Sequence, residues 1–242
     1  INNSGNLAVE SGQTLAFYGN QVTSTGSLVA PGGTVMVLGE RIGLFENAGI
    51  DVSSEMGGGT VLIGGGFQGQ GDIPTAARTF IDTGVRINAD AISPLSSGDG
   101  GTVLVWADEV TGFYGTISAR GGSEGGNGGF VEVSGKEHLI FRGTVDTTAV
   151  NGLWGTLLLD PTDIVIANGS GDGATDGEDT FAGDNSGVAG TILSAPLSEI
   201  DDATPTTIYE SELEGLSGDT NVILQATNDI RIEDLADDAL EF

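Results

Sequence analysis

A short pattern returns at nearly even intervals along this chain. A glycine is followed by Thr or Phe, then Val or Leu, with another apolar residue two places on. It reads Gly33-Thr34-Val35-Met36-Val37, Gly59-Thr60-Val61-Leu62-Ile63, Gly101-Thr102-Val103-Leu104-Val105, Gly129-Phe130-Val131-Glu132-Val133 and Gly155-Thr156-Leu157-Leu158-Leu159. Glycines at 33, 59, 101, 129 and 155 leave steps of 26, 42, 28 and 26 residues, a period near 26 with one insertion. Self-similarity at such a period marks a solenoid, in which each unit buries a face against the next.

A second echo comes after the first inside each period: Gly49-Ile50-Asp51-Val52, Gly84-Val85-Arg86-Ile87, Gly115-Thr116-Ile117-Ser118 and Gly143-Thr144-Val145-Asp146. Between the two lies a third apolar piece, as in Ile42-Gly43-Leu44-Phe45, Gly112-Phe113-Tyr114 and Leu139-Ile140-Phe141. β-Branched residues dominate, and Gly, Asn and Asp punctuate. Three short strands per turn predict an all-β parallel β-helix. Roughly seven to eight turns at ~4.8 Å would make a rod about 35–40 Å long.

Alternate residues of a strand point to opposite faces. Val35/Val37, Val61/Ile63, Val103/Val105, Val131/Val133 and Leu157/Leu159 therefore stack inward as one aliphatic spine. The opposite parity carries Met36, Leu62, Leu104, Glu132 and Leu158, with Trp106 two places past Leu104, a column more apolar than a solvated face. Either the long insertion covers it, or it is a surface for ligand binding or self-association. Trp106, with Asp108 and Glu109 close behind it, is the one specific hint of sugar stacking, and the other reading packs it under the insertion at Phe67–Phe80. Trp154, like Phe113 and Phe141, falls near a strand end and reads as a core ring.

The shared repeat argues for a single β-helix domain over 1–242, with three irregularities. Residues 64–80 form the insertion within a rung. Residues 168–190 form an acidic Gly/Asp-rich loop. Residues 194–217 are irregular, with a short helix expected either around Ser198–Asp202 or around Ser211–Leu216, where Ser211-x-x-Glu214 is a weak capping box, before a last rung at Thr220–Ala226. The start at Ile1 and the end at Phe242 suggest a piece of something longer.

Charge narrows the partners. Thirty-five acids against seven bases give −28, leaving no basic footprint for nucleic acid or an anionic membrane. No run of about 18 apolar residues exists to insert in a bilayer. No cysteine is present. Carboxylate oxygens attract divalent cations, and Asp172, Asp176, Glu178, Asp179 and Asp184 crowd one loop, so calcium is the candidate cofactor. The spacing is not that of a twelve-residue helix-loop-helix calcium site.

Catalytic signals are sparse. Asp51 and Asp146 occupy matching places on echo strands two turns apart and are the best paired candidates, but Ser118 aligned in the rung between them leaves no adjacent carboxylate pair. Arg86, Arg120 and Arg142 read as surface ion-pair partners. His138 is the lone histidine and has no Cys or second His to work with. A convergent catalytic set is missing, so the chain reads as a non-enzyme.

Four stretches resemble one known family: Gly12-Gln13-Thr14-Leu15-Ala16, the run from Gly26 to Gly33, the run from Gly121 to Gly135, and Leu157-Leu158-Leu159-Asp160-Pro161-Thr162-Asp163-Ile164. They are similar to filamentous haemagglutinin-like exoproteins of two-partner secretion, particularly the large cyanobacterial-type members. The resemblance implies a right-handed coil, export through an outer-membrane β-barrel transporter, and an extracellular or cell-surface place. The family's amino-terminal secretion module, with its Asn-Pro-Asn-Gly-type motif, is not seen, so the likeness is to the region just after that module. The implied role is a structural or adhesive rod that binds cells, glycans, surface proteins or copies of itself. Two other readings stay open: a polysaccharide lyase or glycoside hydrolase on a β-helix, and the stalk of a contact-dependent toxin.

Overall fold

The computed structural model describes residues 1–92, 97–169, 193, 206–216, 218–235 and 239–240. The chain is all-β, and every strand pairing among the described residues is parallel. The strands gather into sheets of eleven, six and three. The expected pairing of the repeats is present in register. Thr34 pairs with Thr60, Thr60 with Thr102, Thr102 with Phe130, Phe130 with Thr156, and Thr156 with Asn221.

Two long strands, Thr14–Ser24 and Thr34–Leu44, hold the eleven-stranded sheet together. The first half of Thr34–Leu44 pairs with Thr60–Ile63, and its second half pairs with Arg78–Ile81. Later passes break this long strand into two, as in Thr102–Ala107 and Val110–Phe113. The echo strands Ser27–Val29, Gly49–Asp51, Arg86–Asn88, Thr116–Ser118 and Thr144–Asp146 belong to the six-stranded sheet. The echo at Gly84 is out of step with its glycine: Arg86, not Gly84, pairs with Gly49 and Thr116.

The reason for the glycine of the repeat is a close approach between strands. A Cβ on Gly101 would overlap the carbonyl oxygen of Gly59, and one on Gly129 would overlap that of Gly101. No larger residue lets the corners stack at strand spacing.

Inward parity holds throughout. Val35, Val61, Val103, Val131 and Leu157 are fully buried, as are Val37, Ile63, Val105, Val133 and Leu159. They share one core with Leu28, Ile50, Ile87, Ile117 and Val145 of the six-stranded sheet. The stacked rings of Phe113 and Phe141, with centroids 5.6 Å apart, belong to it too. Burying such side chains contributes roughly 1.5–3 kcal/mol each.

The segment 194–217 is more ordered over its described part than expected. Thr207–Tyr209 is a strand paired with Ile164–Ala167, and the Thr206 hydroxyl accepts the N–H of Leu139. A five-residue helix, Glu210–Glu214, comes next, and the alternative at 198–202 lies outside the described residues. Its first turn is closed by Glu212, which accepts the N–H of Tyr209 at 2.8 Å, rather than by the pair Ser211 and Glu214. Arg142, expected in a surface ion pair, instead meets Glu212 at 3.0 Å with both side chains buried, and lies over the Tyr209 ring.

Candidate functional site

The outward column on the first face is covered. Met36 is half-buried, while Leu62, Leu104 and Trp106 are buried, Trp106 to 4% exposure. An open ligand or self-association surface at these four residues is therefore not what the structure presents. Over Trp106 the cover is the insertion, which leaves the sheet at Gly64 and rejoins it at Ala76, where the Ala76 N–H donates to the Gly64 carbonyl at 2.8 Å. Its tip, the single 3-10 turn Phe67–Gly69, folds back across strands that come later in sequence.

Every contact of that turn is specific. Phe67 meets Phe130 edge-on at 5.8 Å between centroids. Gly69 has φ +63°, and a Cβ there would stand 2.5 Å from the indole of Trp106. Gln68 also lies in the left-handed region, at φ 52°. Its backbone N–H reaches Glu132, and its side-chain amide donates to Asp160 at 2.6 Å. The Trp106 indole N–H donates to Asp108, which also accepts the Thr75 hydroxyl of the insertion.

Glu132 carries the main electrostatic peculiarity. It is fully buried in the outward column, between Leu104 and Leu158. Desolvation pushes its carboxyl up to about 7, and the Asp160 charge adds to that, while the bonds from Gln68 and Ser134 oppose it. Asp160 is also raised, again by burial, against the bond from Gln68. The amino-acid pattern does carry a signal here: one acid interrupts an otherwise aliphatic column.

The open surface lies at another corner. Connections from the six-stranded sheet back to the eleven-stranded one stack on one another: Ile92 donates its N–H to Ser54, Gly122 to Gly98, and the Asn151 amide to Ser123. Along them stand Met56 at 90% exposure, Leu153 at 77% and Trp154 at 50%, with Ile92 and Val150 also exposed. Trp154, expected in the core, is thus the exposed tryptophan, and Trp106 the buried one. Beside this crest runs a groove of about 440 Å³, and Ile92 and Val150 line it too.

The floor of the groove is polar and internally satisfied. Asp90 is nearly buried and accepts the Arg120 guanidinium at 2.6 Å, the Arg120 backbone N–H at 2.7 Å and the Ser118 hydroxyl at 2.6 Å. Asp146 stands 3.9 Å from Arg120. Hydrogen bonding to Asp90, outweighing burial, raises the Arg120 guanidinium above its ordinary range.

Asp51 and Asp146 do not form a pair. The column runs Asp51, Asn88, Ser118, Asp146, so two residues intervene, not Ser118 alone. Three strand steps separate the carboxylates by about 14 Å. Each instead closes its own turn: Asp51 accepts the Ser53 N–H at 2.9 Å, and Asp146 accepts the Thr148 N–H at 3.0 Å. Asn88 does the same for Asp90 at 3.0 Å. These are side-chain-closed turns of the kind Asp and Asn favour.

The five acids expected to hold calcium, Asp172, Asp176, Glu178, Asp179 and Asp184, lie outside the described residues. Among the described residues no group of three potential metal-ligating side chains converges, and no helix is long and apolar enough to cross a membrane. No protein-family model matches the chain, and no curated protein matches it.

Proposed function

We propose that the chain is a right-handed parallel β-helix with three strands per turn, a segment of a secreted exoprotein of the filamentous haemagglutinin type. In this reading it works as a rigid adhesive rod at the cell surface. The observation that carries it is the apolar crest. Met56, Ile92, Val150, Leu153 and Trp154 stand exposed along one corner of a scaffold whose inner apolar ladders are buried. Exposed apolar groups on a rigid support mark a contact surface. Repetition along a rod lets weak contacts add through effective concentration.

Charge supports the same reading. An excess of acids keeps a parallel sheet protein soluble while the crest engages a partner, and it steers away polyanions. Cell-surface glycans or proteins, or copies of the chain, fit this surface. Export through an outer-membrane β-barrel transporter comes from the family resemblance. Calcium is the cation the 172–184 acids would take, and a calorimetric calcium titration tests that separately.

The experiment compares wild type with Leu153→Ser and Trp154→Ser variants in binding to intact cells and immobilised glycans. Both variants keep the wild-type unfolding midpoint, and binding falls at least several-fold. Unchanged binding by the variants, or no binding by wild type, overturns the adhesive reading. Release of reducing or unsaturated sugars from a polysaccharide would put an enzyme in its place.

A further inference from the structure

The insertion is fastened at its tip by a fully buried carboxylate. Both Glu132 oxygens are within reach of one donor, the backbone N–H of Gln68, at 3.0 and 3.2 Å. That donor is aimed by a left-handed backbone at a non-glycine residue, a conformation held at a cost of about 1–3 kcal/mol. The same residue's side chain grips Asp160 at 2.6 Å, so Gln68 spans from one strand to the next. Beneath the turn lies the indole of Trp106, two residues along its strand from the buried Leu104.

Among the described residues the surroundings of Glu132 offer no countercharge. Its register neighbours Leu104 and Leu158 are apolar. On its own strand it has the Ser134 hydroxyl, and Lys136 beyond that is exposed. Asp160, at the end of the next strand, repels a second negative charge. On the preceding strand's side, Asp108 is held by Thr75 and the Trp106 indole. None of the ion pairs found among the described residues includes Glu132.

We propose that residues 64–76 are a pH-controlled strap, closed over Trp106 while Glu132 is protonated and lifted when Glu132 ionises. In the lifted state Glu132 is hydrated and titrates near the ordinary 4.5; in the closed state it titrates near about 7. The lifted state therefore binds fewer protons between those values, and raising the pH favours it. Below about 4.5 both states are protonated and the strap is closed. Above about 7 both are ionised and the bias is complete. That difference corresponds to a change in the opening equilibrium on the order of 100-fold. Lifting uncovers an apolar platform of Leu104 and Trp106, a second contact surface that the closed molecule lacks.

The test uses the full chain carrying Trp154→Phe, so that Trp106 is the sole indole. Acrylamide quenching of its fluorescence is followed from pH 4.5 to 8. Protection of the Gln68 amide against hydrogen exchange is corrected for the intrinsic rate and followed over the same range. Quenching rises and protection falls progressively between about pH 4.5 and about 7 and both level off above, with a protection change on the order of 100-fold. In Glu132→Gln, which keeps the acceptor but cannot ionise, both signals stay at the closed value. A flat wild-type profile overturns the proposal without reference to any variant, and so does the same profile in Glu132→Gln.

Discussion

Gln68 and Glu132 stand 64 residues apart in sequence, yet the backbone N–H of the first lies 3.0 Å from a carboxylate oxygen of the second. A loop of this length costs little extra closure entropy once its ends are fixed. What fixes them is the sheet itself, through Gly64 and Ala76. The strap is thus a local excursion with a long-range landing site, and it accounts for the burial of Trp106, Leu104 and Glu132 together.

Gly69 is the position where a single methyl group would do most harm to that landing. Its φ is +63°, and the added carbon would press on the Trp106 ring. Gly69→Ala raises Trp106 quenching at low pH, where the wild-type strap is closed, with a local cost of about 1–3 kcal/mol. The global denaturation midpoint moves much less, because the parallel ladders do not depend on the strap. Equal quenching in Gly69→Ala and wild type at low pH contradicts the described packing.

The inner spine answers differently. Leu157 is fully buried, and its neighbour Thr156 is only half-buried on the outer side. Leu157→Ala lowers stability by about 2–5 kcal/mol, as a cavity among close-packed ladders cannot collapse. Thr156→Ala stays within about 0.5 kcal/mol. Chemical denaturation monitored by circular dichroism measures both, and comparable losses would mean that inward and outward are misassigned.

The raised carboxyl also sets a stability trend. A glutamate at 4.5 when unfolded and about 7 when folded binds more protons in the native state between those values. Native stability supplied by neutral Glu132 is full below about 4.5 and is lost as pH climbs to about 7. The loss is at most about 3 kcal/mol, less whatever lifting the strap recovers. Wild type minus Glu132→Gln, compared by urea unfolding at pH 4.5 and 7.5, isolates it. A difference that stays constant with pH removes Glu132 as the cause.

Features are legible in the residues alone where the physics is local. The stacking of Gly33, Gly59, Gly101, Gly129 and Gly155, and the inward set from Val35 to Leu159, depend on period-two alternation and on glycine's lack of a Cβ. Both are properties of neighbouring residues. Trp106 takes the covered place that one of its two readings gave it, while Trp154 leaves its expected place in the core, because exposure depends on what lands above a side chain. Strand parity points Trp106 outward and the length of the insertion offers a cover for it, but only the structure shows that the turn 67–69 is the part that lands there. Trp154 sits two residues after Gly152, in a corner connection that parity arguments do not reach. The Asp51–Asp146 separation comes out one strand larger than the residues suggest, since Asn88 joins the column only after the echo at Gly84 shifts relative to its glycine.

That column supplies the sharpest contrast between a structural and a chemical role for its acids. Asp146 accepts from both the N–H and the hydroxyl of Thr148 and is partly solvated, so Asp146→Ala removes these turn bonds at a cost of about 1 kcal/mol. Asp90 is nearly buried and accepts from Arg120 and Ser118. Asp90→Ala strands those donors and costs more, about 2–4 kcal/mol. Asp51→Ala matches Asp146→Ala, because the two close equivalent turns. Thermal unfolding of the three variants gives the order directly. If the Asp146 variant proves as damaging as the Asp90 variant, Asp146 does more than close a turn, and the groove beside the crest regains its claim as a chemical site.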